Sequence, residues 1–264
     1  MPTCNFYILS GVNKTANVPK RNVRKMNHQK KNNMKKLGIF FVTCLALALT
    51  SCKTEFRSAG PMARRTVAAV NFDKIVNATV YDVYYQQGDT FKVIVEGPEK
   101  KIKQLDIRVD GSTLTIDQHG MYSFFNAGDL SNKTKIYVTS PDILRMKQTG
   151  TGSILSTKPI DSDRLNLQLE GTGDIVLKEV ICDELTAALA GTGDIRVERL
   201  TSPMTKLRLA GTGDIDVNFV HSGVVKASLA GTGDITLQGD IERLISQKAG
   251  TGDIHTDGLH TANK

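Results

Sequence analysis

The tripeptide Gly-Thr-Gly begins at Gly150, Gly171, Gly191, Gly211, Gly231 and Gly250, in steps of 21, 20, 20, 20 and 19 residues. Five copies continue Asp-Ile, and the first reads Ser153-Ile154. A fixed period of this size means that one supersecondary unit is built again and again, each copy stacking on the last. The residues ahead of the turn say what the unit is. Two positions before each first glycine stand Gln148, Leu169, Leu189, Leu209, Leu229 and Lys248, and four before stand Met146, Leu167, Ala187, Leu207, Ala227 and Ser246. Six before stand Leu144, Leu165, Leu185, Thr205, Val225 and Leu244. Alternation with a period of two is the mark of a half-buried strand running into the turn.

A second short strand follows the turn. Ile154, Ile175, Ile195, Ile215, Ile235 and Ile254 take its first inward position, with Leu177, Val197, Val217 and Leu237 two residues on. A third apolar column is expected at Ile160, Val180, Leu200, Val220, Ile241 and Leu259. Three inward clusters per coil, separated by turns, exclude a helical repeat. They describe an all-β chain: a parallel β-solenoid of six coils of about 20 residues, read as a right-handed β-helix. Rungs about 4.8 Å apart make the six coils a prism of roughly 25–30 Å. Each coil buries aliphatic side chains contributing roughly 1.5–3 kcal/mol apiece before chain entropy is subtracted, so the stack is stable where a single coil is not. Gln148 and Lys248 interrupt a leucine column, which suits covered or frayed ends.

The chain divides into a leader at 1–33, a signal segment at 34–51, a linker at 52–65, a β region at 66–140 and the repeats at 141–264. Within 66–140, Val93 and Val95 alternate ahead of Gly97-Pro98. Leu105, Ile107 and Val109 face Leu114 and Ile116 across Asp110-Gly111, the pattern of a hairpin. Lys135 to Val138 reads as a strand entering the first coil through Pro141. This strand-rich region is expected to cap the first coil, either as separate β structure or in continuity with the solenoid core. Met121 to Gly128 breaks the pattern, and its rings, Tyr122, Phe124 and Phe125, either cover the open end of the solenoid or contact a partner or glycan.

The net charge of +7 invites a polyanion partner until it is located. Residues 1–52 hold nine Lys or Arg and no acid, so 53–264 holds 34 − 9 = 25 bases against 27 acids. The basic excess belongs to the leader, which argues against a nucleic-acid partner for the body. Met34-Lys35-Lys36 precedes the apolar run Leu37 to Leu49, short for a membrane span and right for a signal-peptide core. Leu49-Thr50-Ser51-Cys52 resembles a bacterial lipobox, which implies cleavage before Cys52 and acyl chains on it. Cys52 is followed by Lys53 rather than Asp, a pattern pointing to the outer membrane. Cys182 then stands alone in the mature chain and reads as a small buried hydrophobe.

The β-rich lead from Phe72 to Ile116, the strand into Gly150-Thr151-Gly152-Ser153-Ile154 and the GTGDI coils together resemble a family of bacterial exported proteins, the putative auto-transporter adhesin head GIN domain. The resemblance covers about 66–258. It implies a β-helical fold on an envelope lipoprotein, an adhesin-like or structural binding role, and no catalytic residues.

The turn itself could carry chemistry. A phosphate loop needs a helix and a Lys after its glycines, and here a strand follows. Calcium is the stronger rival. Asp174, Asp194, Asp214, Asp234 and Asp253 should form a column of carboxylates that repel by about 0.9 kcal/mol per neighbouring pair in water, which a cation would relieve. The structural alternative has each Asp accept a backbone N–H at its turn, with the glycines in positive φ and Thr172, Thr192, Thr212 and Thr232 as a hydroxyl ladder beside them. A carbohydrate lyase or hydrolase would need acids converging in a groove beside Lys or Arg. The outward Lys178, Arg196, Asp216 and Thr236 vary from coil to coil, and His119, His221, His255 and His260 share no ligand spacing. The body therefore reads as non-catalytic, binding a polymer, a glycan or an envelope protein.

Overall fold

In the computed structural model, residues 61–119 and 134–262 are described, and their strands join one continuous sheet wound into a parallel β-solenoid. The segments holding Cys52 and the rings of Tyr122, Phe124 and Phe125 lie outside the described residues. The N-terminal strands are β1 (Met62–Val67), β2 (Lys74–Asn77), β3 (Asp82–Gln87) and β4 (Lys92–Pro98). A one-turn helix, α1 (Glu99–Ile102), leads to β5 (Leu105–Asp110), β6 (Thr113–Gln118) and β7 (Lys135–Ser140). The repeats comprise β8 (Arg145–Gln148), β9 (Ile154–Leu169), β10 (Ile175–Leu189), β11 (Ile195–Thr201) and β12 (Met204–Leu209). They end with β13 (Ile215–Leu229), β14 (Ile235–Lys248) and β15 (Ile254–Thr261).

The columns expected on the two strands flanking the turn are the registers observed. Ile154, Ile175, Ile195, Ile215, Ile235 and Ile254 pair rung to rung, and all but the terminal Ile254 are fully buried. Leu169, Leu189, Leu209, Leu229 and Lys248 pair in the same way on the strands entering the turn. Lys248 is exposed at the C-terminal edge. Gln148 lies between Asn77 and Leu169 with no exposed surface, because a further coil covers it.

That further coil is β2, the corner Ala78–Tyr81, and β3. It stacks on β8 and β9 in parallel register although it contains no Gly-Thr-Gly. The strand order continues beyond it, with β6 pairing β2 and β7 pairing β3, both parallel. Antiparallel strands close the two margins: β5 on β6, and β4 with β1 on β7. The β5–β6 hairpin turns through Gly111 at φ 60°. One apolar core runs from Ala69 to Ile241 through both regions.

Two local expectations fail. The third inward column passes through Phe219, not Val220. His221 adopts φ 49° at a bulge between Phe219 and Ser222, which turns Phe219 inward to pair with Leu200 and leaves Val220 half-exposed. On the next coil Gly239, φ 89°, sits on Phe219, and Ile241 moves into register with Ser222. A Cβ on Gly239 would stand 2.0 Å from the Phe219 carbonyl oxygen, so the bulge and this glycine are one adjustment.

The glycines of the repeated turn also act differently from expectation. Among the described glycines only Gly111 and Gly239 have positive φ. The turn needs glycine for space: a Cβ on Gly171 or Gly213 would lie 2.1 or 2.0 Å from the carbonyl oxygen of the equivalent glycine one rung back. Corner backbones are packed directly on one another.

Candidate functional site

Each corner donates back to the one before it. The amides of Thr172, Thr192, Thr212, Thr232 and Thr251 bond to glycine carbonyls of the preceding rung at 3.0–3.1 Å. The Thr side chains point out and are exposed. With the Ala and Gly beside them they line a shallow groove of about 1070 Å³ along the stack, whose lining holds one carboxylate, Glu170.

The five aspartates stand on successive rungs, and four of them each accept a backbone amide from the next. Asp174 Oδ1 accepts the Asp194 amide at 2.9 Å, Asp194 Oδ1 that of Asp214 at 2.9 Å, and Asp214 Oδ1 that of Asp234 at 2.7 Å. Asp234 Oδ1 accepts the Asp253 amide at 2.6 Å. The ladder starts before the repeats, with Asp82 Oδ1 taking the Ser153 amide at 3.0 Å and Ser153 Oγ the Asp174 amide at 3.0 Å. Asp82 lay outside the repeat and carried no signal of this role. At the C-terminal end the Asp253 amide holds the Asp234 carboxyl below the usual carboxylate range, helped by His255 at 3.4 Å, and Lys248 pairs with Asp253. No three His, Cys, Asp or Glu side chains converge on a metal-sized space among the described residues.

Elsewhere the titratable groups scatter. Arg196 bonds Asp216 Oδ2 through Nε at 3.3 Å and Nη2 at 3.1 Å, and with Glu198 they line a small open hollow on the face after the turn. Two carboxylates beside an Arg are what a glycan-cleaving site requires in composition. Here the ion pair lies partly in solvent, in an open hollow rather than a closed groove. His221 and His260, 39 residues apart in sequence (260 − 221), flank the exposed Asp240 at 3.9 and 3.6 Å. Cys182 is buried, and burial pushes its thiol up to about 11, so it is protonated and unreactive at neutral pH.

A family model described as "Putative auto-transporter adhesin, head GIN domain" matches residues 71–198 and 189–264. Among solved structures, a putative adhesin from Bacteroides fragilis is 21% identical, with a TM-score of 0.61 over 74% of this chain and 96% of that one. A putative adhesin from Parabacteroides distasonis is 17% identical, with a TM-score of 0.50 over 74% and 97% of the two chains. These likenesses are likenesses of fold. No curated protein matches the chain.

Proposed function

This chain belongs to the family described as putative auto-transporter adhesin, head GIN domain, and from that premise we propose that it is a lipid-anchored protein of the bacterial cell envelope whose solenoid is a non-catalytic, adhesin-like binding domain. The observation that carries the binding role is the long outer face of the solenoid. The strands entering the turn, in parallel and unbroken register, present columns of solvent-facing side chains from β2 to β14, a surface suited to a partner as extended as itself. The relatives' adhesin names point to the surface or envelope. The apolar run Leu37 to Leu49 ending in Thr50-Ser51-Cys52 supports the anchor, and Lys53 after the cysteine supports the outer membrane.

Labelling cells with a palmitate analogue tests the anchor. The wild type is expected to take up label and to sediment with membranes, and Cys52→Ser to do neither. Label persisting in Cys52→Ser would refute the anchor. For the alternative of a carbohydrate-processing enzyme, the Arg196, Glu198 and Asp216 hollow is where catalysis would lie. Incubation with a panel of acidic and neutral polysaccharides is expected to release no reducing ends. Release that disappears in Glu198→Gln would replace the binding reading.

A further inference from the structure

Net charge conceals how the body distributes its charges. On the strands entering the turn, the outward positions from β2 to β14 form one continuous sheet face. One straight column of that face runs Lys74, Arg145, Asn166, Thr186, Lys206, Lys226. Arg164 and Arg243 lie to one side of it, and Lys147 and Arg208 to the other. Against these eight bases the outward positions of the same strands carry one acid, Glu184. The compensating acids sit around the third corner, where Asp161, Asp163, Asp183, Asp240 and Glu242 are exposed. A body with more acids than bases therefore owns a strongly basic face.

Three of the eight bases have partners: Lys74 with Asp73, Lys147 with Glu170 and Lys206 with Glu184. Arg145, Arg164, Arg208, Lys226 and Arg243 are exposed and make no ion pair among the described residues. Like charges are also set on neighbouring rungs, Lys74 against Arg145 and Lys206 against Lys226. Such neighbours repel, and the fold gains nothing by stacking them. An anion lying across the rungs removes that repulsion. Neutral hydrogen-bonding groups sit among the bases, Asn166 and Thr186 between the two basic pairs of the central column and Gln168 beside them, and they match the hydroxyls of a charged sugar. No aromatic ring stands on this face to stack a base, and its one exposed large aliphatic side chain, Ile245, lies at the C-terminal end. Nucleic acid and a bilayer are thereby served less well.

We propose that this basic face, strands β2, β8 and β12 with the turn-entering halves of β9, β10, β13 and β14, binds a linear acidic polysaccharide laid along the solenoid axis. The proposal rests on the envelope-binding reading and names the ligand class for it. Palmitate labelling tests the anchor separately, so labelled protein that fails to bind sinks the ligand alone.

The test uses the full chain in neutral detergent and immobilised polygalacturonate, a linear polyuronate. Neutral dextran, single-stranded DNA and phosphatidylglycerol vesicles serve as comparison surfaces. The wild type is expected to bind polygalacturonate and not dextran, with affinity falling steeply as salt rises. The double variant Arg208→Glu/Lys226→Glu is expected to weaken binding about tenfold, while Lys178→Glu, an exposed base on the other face, leaves it unchanged. Thermal melts of both variants matching the wild type show that the fold survives. Absence of binding, binding indifferent to the double variant, equal loss in Lys178→Glu, or preference for vesicles or DNA would each overturn the proposal. Self-association by the acidic corner of a second copy would do so as well, read as a concentration-dependent dimer abolished by the same double variant.

Discussion

Two corners of this solenoid do the same job with different chemistry. From Thr149 onward the corner is backbone stacked on backbone, with a glycine wherever a Cβ would meet the carbonyl of the previous rung, and aspartates tying rung to rung. At Ala78–Tyr81 the same corner is made by side chains. Buried Asn77 donates from Nδ2 to the Tyr81 carbonyl at 3.0 Å and accepts at Oδ1 from the Thr79 amide at 3.1 Å and hydroxyl at 2.8 Å. Thr79 Oγ1 in turn accepts the Tyr81 amide at 3.1 Å. Thr79 and Tyr81 occupy the places of the two glycines, and Gly150 and Gly152 are the residues that must lack a Cβ against them. A corner that only supports its neighbour can keep its side chains. A corner that is also stacked from below cannot.

Gly213→Ala should separate the two solutions most sharply. Its Cβ would lie 2.0 Å from the Gly193 oxygen, and mid-stack rungs cannot part without breaking amide bonds on both sides. Destabilisation of about 3 kcal/mol is expected, the upper end of overpacking. Gly111→Ala meets open space and bears only the strain of its positive φ, about 1 kcal/mol. Denaturant melts giving equal losses would show that conformation, not space, selects the glycines.

Next in size is Asn77→Ala. It removes three hydrogen bonds from a fully buried site and should destabilise by about 2–3 kcal/mol. Asp214→Ala, in the equivalent ladder of a repeated corner, loses a single half-exposed bond to the Asp234 amide and should destabilise by about 1 kcal/mol. Asp214→Asn keeps the oxygen and should recover most of that loss. The same melts with excess chelator decide what occupies the column, and an unchanged wild-type midpoint is expected. A fall of several degrees, absent in Asp214→Asn, would put a cation there instead.

This contrast also explains what was legible in the sequence. Period and alternation exposed every coil whose corner is bought by backbone packing, because that packing demands glycine at each rung and the demand repeats. The Asn77 corner answers to no neighbour of its own kind, so nothing in it recurs, and the sequence shows strands that cover the first coil without showing that β2 and β3 form a coil of their own. The slip at Phe219 was hidden because a bulge is set by the φ of His221, which side-chain type scarcely signals. The aspartate ladder was readable as a column, whereas Asp82 at its foot was not, being spaced off the period by the chain between β3 and β8. The basic face escaped for a different reason. Its charges are neighbours across rungs but stand 20 residues apart in sequence at Lys206 and Lys226 (226 − 206) and 71 at Lys74 and Arg145 (145 − 74), and the acids that cancel them in the sum lie around the third corner.

The smallest expected effect lies at the C-terminal end of the ladder, where His255 and Lys248 join the carboxyl-to-amide bonds. Asp234 accepts the Asp253 amide and faces His255, and both hold its carboxyl below the usual range. A carboxyl whose folded proton affinity is lowered stabilises the fold above its unfolded pKa, and the contribution fades as pH falls through the folded value. Asp234→Asn keeps the acceptor oxygen and discards the charge. It should therefore melt slightly below the wild type at about pH 5, with the gap closing toward about pH 2. Equal melting of the two proteins across that window would mean that the oxygen-to-amide bond alone ties this rung, without help from the charge. A closing gap would mean that the last coil, exposed along its outer edge, is held by the charge as well.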